Sequence, residues 1–217
     1  KNIKNYNNSV VKLLKLLRKL DLISSFYSVI IIKNIPVFGG LGGGTSNAAF
    51  LLRFLLKEKI TKIAVNKIEK LIGTDLRLFF CEQGFLENLK TVKVFKKKQN
   101  LILLLSRPNV NCSTHEIYSK VTKYSTKIKS DFYKINTKKK FINYILKNKN
   151  ELQPIVEKKY PIIKKLLTDI SVEKGCYLSR ISGSGSVCYG LFNNKTTAKK
   201  ALKRLRNKYP KFWFSIA

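Results

Sequence analysis

Pro36-Val37-Phe38-Gly39-Gly40-Leu41-Gly42-Gly43-Gly44-Thr45-Ser46-Asn47 is the stretch on which the reading of this chain turns, because five of its 11 glycines lie there. Residues 27–35, YSVIIIKNI, precede it and are apolar and β-branched enough for a buried strand. Residues 48–57, AAFLLRFLLK, follow it and are strong helix formers. Strand, glycine loop and helix in that order suit a phosphate site. Glycines reach positive φ and leave no Cβ between backbone N–H groups and an anion, and the first N–H groups of a helix are unpaired at the positive end of its dipole. Thr45 and Ser46 are predicted at the helix mouth, where a hydroxyl caps the helix, touches a phosphate or reaches magnesium. A tight turn with an ordinary cap is the plainer alternative, but it needs one or two glycines rather than five.

Two common phosphate loops do not fit. A Walker A loop has Lys immediately before its Ser/Thr, and Gly44-Thr45-Ser46 has none; a G-x-G-x-x-G fingerprint fails because Gly40-Leu41-Gly42 is followed by Gly43-Gly44-Thr45. Residues 39–42 satisfy the short G-x-x-G of a KH domain, which belongs to a different module.

With 217 residues the chain has length for one large or two small domains, and 44% hydrophobic content supports a packed core. Lys+Arg of 44 against Asp+Glu of 12 gives a net charge of +32, which by itself points to nucleic acid or an anionic surface. The basic residues are spread along the whole chain among Asn and Ile, so the charge is read as mainly compositional, with no specific nucleic-acid partner. Cys81, Cys112, Cys176 and Cys188 lack C-x-x-C spacing and His115 is the only histidine, which argues against a zinc site and for a reducing cytoplasm. No run approaches a transmembrane helix and no signal-peptide layout is present, so a cytoplasmic protein without a membrane partner is expected. Met is absent, position 1 included, which predicts a trimmed chain.

Further along, Ser9 is predicted to cap a helix over 10–20, and Thr61 to open a helix that Gly73 ends. Asp75 follows in Ile72-Gly73-Thr74-Asp75-Leu76-Arg77-Leu78-Phe79-Phe80, between that helix and a predicted strand; alone, it also reads as a turn residue. Residues 91–95 and 101–105 read as strands, with a domain boundary at the basic turn between them: 1–98 and 99–217. Ser113-x-x-Glu116 is a capping box. Pro161 suits a helix start, Gly175 a segment end, and residues 178–192 read as two strand-like runs around S-G-S-G-S, which a hairpin alone also explains. An amphipathic helix over 196–209 and a strand over 212–216 close the chain.

Four of these stretches, in order, resemble the GHMP kinases. G-G-L-G-G-G-T-S-N-A-A is similar to their second motif, in the wording of the 4-diphosphocytidyl-2-C-methyl-D-erythritol kinases; kinases of homoserine, mevalonate or galactose more often carry serines where Gly43 and Gly44 stand. The Asp75 stretch resembles L-G-[AS]-D-V-P-F-F, with Arg77 where Pro is usual. Residues 108–118 resemble P-x-x-x-x-[ST]-T-x-x-[VI]-[FY], and residues 182–189 the third motif. The resemblance implies an α+β, two-domain fold with an N-terminal ATP-binding domain, incomplete at its start, and a ferredoxin-like C-terminal domain. It implies ATP and Mg2+ as cofactors and a cytidine diphosphate-linked methylerythritol, phosphorylated at its 2-hydroxyl, as the small-molecule substrate.

By the same resemblance Phe38, Gly39, Gly40, Leu41, Gly42, Gly43, Gly44, Thr45, Ser46 and Asn47 hold ATP, with Thr45 or Ser46 toward magnesium. Asp75 is the catalytic base; Thr114 and Tyr118 meet the substrate, Tyr118 stacking on cytosine; and Gly183, Ser184 and Gly185 help to enclose it. A carboxylate in hydrogen-bond reach of an alcohol suits phosphoryl transfer, since it orients the hydroxyl and takes its proton. The family's first motif, with its catalytic Lys, has no counterpart, and Lys1, Lys4 and Lys12 are not assigned that role; the stretch as given is expected to be inactive and poorly folded. The alternatives are a GHMP kinase for another small alcohol and a basic polyanion- or RNA-binding protein, the latter marked by steeply salt-dependent, magnesium-independent binding.

Overall fold

The computed structural model describes residues 8–57, 62–88, 91–122 and 135–217. The chain divides into two compact units, one of residues 1–34 and 42–98 and one of residues 35–41 and 99–217. The boundary between them falls inside the glycine run.

The first unit is built on three helices. α1 (Ser9–Lys19) is capped by Asn8, whose Oδ1 accepts from Val10 N at 2.9 Å, so the cap lies one residue before Ser9. Its Val10, Leu13 and Leu17 are buried. α2 (Gly43–Leu56) begins earlier than helix propensity predicts: Gly42, in the left-handed region, is its N-cap, and Thr45 and Ser46 lie within its first turn rather than capping it. Ala48, Ala49, Leu52 and Leu56 of α2 pack with Leu13 and Leu17, with Ile68 of α3 (Lys62–Ile72), and with Leu76. Thr61, predicted to open α3, lies outside the described residues. After Gly73 the chain forms a 3-10 turn, Leu76–Phe80, where a strand was expected. β1 (Gly84–Asn88) and β2 (Thr91–Val94) then make a two-stranded antiparallel sheet.

Residues 27–35 correct the sequence reading. They enter no ladder, and Ile30 and Ile32 are 89% and 81% exposed. β-branched composition suits a strand, but a strand exists only where a neighbour takes its N–H and C=O groups, and among the described residues none does.

The second unit runs β3 (Ile102–Arg107), α4 (Thr114–Ser119), α5 (Lys138–Lys147), α6 (Gln153–Lys159), α7 (Pro161–Ser171), β4 (Cys176–Ile181), β5 (Cys188–Phe192), α8 (Lys195–Lys208) and β6 (Trp213–Ile216). Its four strands lie in the order β4-β5-β3-β6, all antiparallel, which is the βαββαβ ferredoxin-like arrangement the resemblance implied. One face of the sheet, with Leu104, Ile181 and Phe192, packs on Leu166 and Ile170 of α7 and Ala201 and Leu205 of α8. The other face, with Leu178 and Leu191, receives Ile142 of α5. Pro161 starts α7, and Asn194 caps α8 by accepting from Thr197 N.

Candidate active site

In the second unit, the first half of the glycine run rests on the turn between β4 and β5. Val187 N donates to Gly39 O at 3.1 Å, and Ser182 Oγ donates to Gly40 O at 2.7 Å. Gly40 has φ +73°, and a Cβ there would stand 2.2 Å from Ser182 O and 2.8 Å from Gly185 O. Only glycine fits between those two carbonyls. The turn is braced in its own right: Ser184 Oγ and Thr114 Oγ1 are 2.9 Å apart, Ser186 Oγ donates to Val110 O at 2.7 Å, and Asn150 Nδ2 donates to Gly183 O at 2.8 Å. Phe38, Gly40, Asn111, Cys112, Ser113, Thr114 and Gly185 line an open cavity of about 490 Å³. Phe38 has φ +59° and is 72% exposed, so an aromatic ring is held at the cavity.

In the first unit, the second half of the run opens α2. The first intrahelical bond is Ser46 N to Gly42 O, 2.8 Å, which leaves the N–H groups of Gly43, Gly44 and Thr45 without intrahelical acceptors. A Cβ on Gly43 would meet nothing within 4 Å, whereas one on Gly44 would come within 3.0 Å of Ser9 Oγ. The face at Gly43 is therefore open to an anion. Asp75 stands beside it: a Cβ on Gly42 would lie 3.0 Å from Asp75 Oδ2, and one on Gly73 2.8 Å from Asp75 Oδ1. Two glycines thus leave room for one carboxylate, which caps nothing although it begins the 3-10 turn. Thr45 is buried and lies toward Gly73, while Ser46 is half-buried.

Arg77, standing where proline is usual, is tied back to α3. Its Nε donates to Glu69 Oε2 at 2.9 Å and Oε1 at 3.1 Å, and its Nη2 to Asn66. The capping box is half made. Ser113 Oγ accepts from Glu116 N at 3.3 Å, but the Glu116 carboxylate turns to Lys120 and Lys159, and those two bonds hold it below the usual carboxylate range. Tyr118 is 52% exposed on α4 and does not line the cavity. His115 is exposed.

Several residues at these sites carry no sequence motif. With its amide oriented to face Lys33, Asn47 accepts from Lys33 Nζ at 2.9 Å and donates to Gly43 O at 3.2 Å. A cation beside the positive end of a helix is unfavourable by about 0.3–1 kcal/mol unless an anion joins it, so Lys33 adds to the case for a phosphate. The available signal was a single Lys in an otherwise apolar run three residues before Pro36. Asn111, Cys112 and Asn150 had none. Burial raises the Cys112 thiol above its ordinary pKa, against the smaller pull of Lys159 and Arg107, so it lines the cavity as a neutral thiol rather than a nucleophile.

Among known proteins, the family model described as GHMP kinases N terminal domain matches residues 8–75, and that described as GHMP kinases C terminal matches residues 134–211. The chain is 34% identical over 211 residues to 4-diphosphocytidyl-2-C-methyl-D-erythritol kinase of Pelagibacter ubique, covering 95% of this chain and 74% of that protein. It is 31% identical over 218 residues to the protein of the same name in Wolbachia pipientis wMel, covering 97% of this chain and 74% of that one. A crystal structure of 4-(cytidine 5'-diphospho)-2C-methyl-D-erythritol kinase superposes with TM-score 0.74 at 18% identity, over 100% of this chain and 80% of that one. Homoserine kinase from Cytophaga hutchinsonii does so with TM-score 0.62 at 14% identity, over 97% and 75%. The chain therefore belongs to the GHMP kinases, in the branch whose curated members are 4-diphosphocytidyl-2-C-methyl-D-erythritol kinases.

Proposed function

We propose that this protein moves the γ-phosphoryl group of ATP to the 2-hydroxyl of 4-diphosphocytidyl-2-C-methyl-D-erythritol, a step toward isoprenoid precursors. The observation that carries the reading is Asp75, whose Oδ2 lies 3.0 Å from where a Cβ on Gly42 would be, at the start of the helix with unpaired N–H groups. A general base beside a phosphate cradle is the minimum that phosphoryl transfer to an alcohol requires.

The N–H groups at the start of α2 and the Lys33 ammonium hold the phosphates, and Asp75 orients the acceptor hydroxyl and takes its proton. Gly183, Ser184 and Gly185 form the turn of the same unit that supports the loop at Gly40, and Tyr118 offers an exposed ring for the cytosine. Ser46, half-buried where Thr45 is buried, is the hydroxyl that would hold magnesium, which when bound would supply neutralising charge to the phosphates.

Phosphorylation is assayed with magnesium-ATP against the cytidine diphosphate-linked methylerythritol and against homoserine. Asp75→Asn is expected to lower kcat by roughly 10²–10⁴-fold with ATP affinity unchanged. Retention of kcat within tenfold removes Asp75 as base; turnover of homoserine alone removes the substrate assignment and leaves the kinase.

A further inference from the structure

Arg107 ends β3 beside the cavity of the second unit. Its Nη2 donates to Asn111 Oδ1 at 2.6 Å and to Val110 O at 3.2 Å. Tyr160 OH donates to Asn111 O at 3.0 Å. Asn111 is thus gripped by both of its oxygens. A side-chain amide has one acceptor end and one donor end, and a guanidinium has only donors. With Arg107 on the oxygen, the NH₂ group is the end that Asn111 has left for the cavity it lines.

The charge balance says what that NH₂ group meets. Among the described residues no carboxylate pairs with Arg107, and its buried Nε has no partner. Glu116, close by in sequence, is already engaged by Lys120 and Lys159. A half-buried guanidinium without a counter-ion attracts an anion, and behind an amide it polarises the NH₂ group into a stronger donor. The remaining lining is Phe38, Cys112, Ser113, Thr114 and the backbone at Gly40 and Gly185, with no acidic side chain. Oxygens that only accept, carry negative charge and come several together are those of a phosphate chain.

We infer that Asn111, oriented by Arg107, is a diphosphate-recognising donor in this cavity. The inference rests on the kinase reading only for its choice of nucleotides. Both substrates of that reaction carry a diphosphate unit, so the source is separated by experiment.

The test is calorimetric titration of the protein with inorganic pyrophosphate, CDP and ADP, for wild type, Asn111→Asp and Asn111→Ser. In Asn111→Asp the carboxylate ion-pairs with Arg107, so thermal stability holds or rises while the donor becomes an anion. Pyrophosphate affinity is expected to fall roughly 10- to 100-fold, the loss of a hydrogen bond to a charged group with repulsion added. A matching fall for CDP alone assigns the acceptor substrate's diphosphate, for ADP alone the phosphate donor's, and for both a shared subsite. Asn111→Ser, which adds no charge, should lose about tenfold and serves if Asn111→Asp does not fold. The inference is overturned if wild type binds none of the three, or if both variants bind pyrophosphate within twofold of wild type. These are binding readouts, so absent phosphoryl transfer removes the kinase reading and leaves this one standing, and normal transfer with unchanged binding does the reverse.

Discussion

Gly40 and Gly43, three residues apart in one loop, should respond oppositely to alanine. At Gly40 the φ of +73° and the carbonyls of Ser182 and Gly185, 2.2 Å and 2.8 Å from a built Cβ, leave no room for a methyl group. Left-handed backbone costs a non-glycine residue about 1–2 kcal/mol. Moving Ser182 away forfeits the 2.7 Å bond from its Oγ to Gly40 O, worth about 0.5–1.5 kcal/mol. Gly40→Ala should therefore destabilise the second unit by about 1.5–3.5 kcal/mol, lowering its melting transition by roughly 5–15 °C. Gly43 has no positive φ and nothing within 4 Å of a built Cβ. In the first turn of α2, Gly43→Ala should leave stability unchanged or raise it by about 0.4–1 kcal/mol. Its methyl group stands instead where a phosphate would approach, and the loss of one bond to a charged oxygen, about 1.5–3 kcal/mol, weakens ATP binding roughly 10- to 100-fold. Calorimetric melts and ATP titrations of the two variants test both halves. Equal melting of Gly40→Ala and wild type refutes the contact with the β4–β5 turn, and undiminished ATP binding by Gly43→Ala refutes the approach at α2.

Two further outcomes concern the rest of the molecule. Arg77→Ala leaves Glu69, 8% exposed, without its cation, and should cost about 1–3 kcal/mol, with Glu69→Gln in the same background recovering part; denaturant unfolding of both variants checks this, and additive losses exclude the coupling. Stability should fall as pH rises above 9: burial pushes the Cys176 thiol from its ordinary 9.0 to about 11, raises Cys188 further, and with Asp169 raises Tyr209. The unfolded chain gives up these protons at lower pH than the folded one, so the contribution is complete below about pH 9 and lost above it; melts across that range should show a shallower fall in Cys176→Ala.

The second unit was legible because its local signals agree with its packing. Pro161 begins α7, the α8 helix carries buried Ala198, Ala201 and Leu205 on one stripe, and β5 and β6 coincide with apolar runs. The first unit was less so, for two reasons. Propensity undervalues glycine in a helix, yet α2 takes in Gly43 and Gly44 because left-handed Gly42 sets the N-cap and the Ser46 N to Gly42 O bond closes the first turn. Residues 27–35 were composed like a strand, and composition holds no information about a ladder partner. The site followed the same division. Asp75 and the glycines were visible as motif, but Lys33 meets Asn47 across 14 positions, and Asn111 acquires its role from Arg107 and Tyr160, which bind its two different oxygens.

The glycine count itself has a different cause from the one a phosphate loop suggests. A Cβ on Gly39 would meet Val187 at 2.8 Å, one on Gly40 the Ser182 carbonyl at 2.2 Å, one on Gly42 Phe79 at 2.8 Å, and one on Gly44 the Ser9 hydroxyl at 3.0 Å. All four face the protein's own packing, Gly44 most loosely, since its neighbour is the Ser9 hydroxyl, which can turn away. Gly43 alone is unconstrained by it, with open space where its side chain would be. A run of five glycines therefore amounts to four that let the loop lie against its neighbours and one, Gly43, whose side-chain position is open space. Substitutions at the four should be read first as stability changes, and only Gly43 isolates the chemistry of the site.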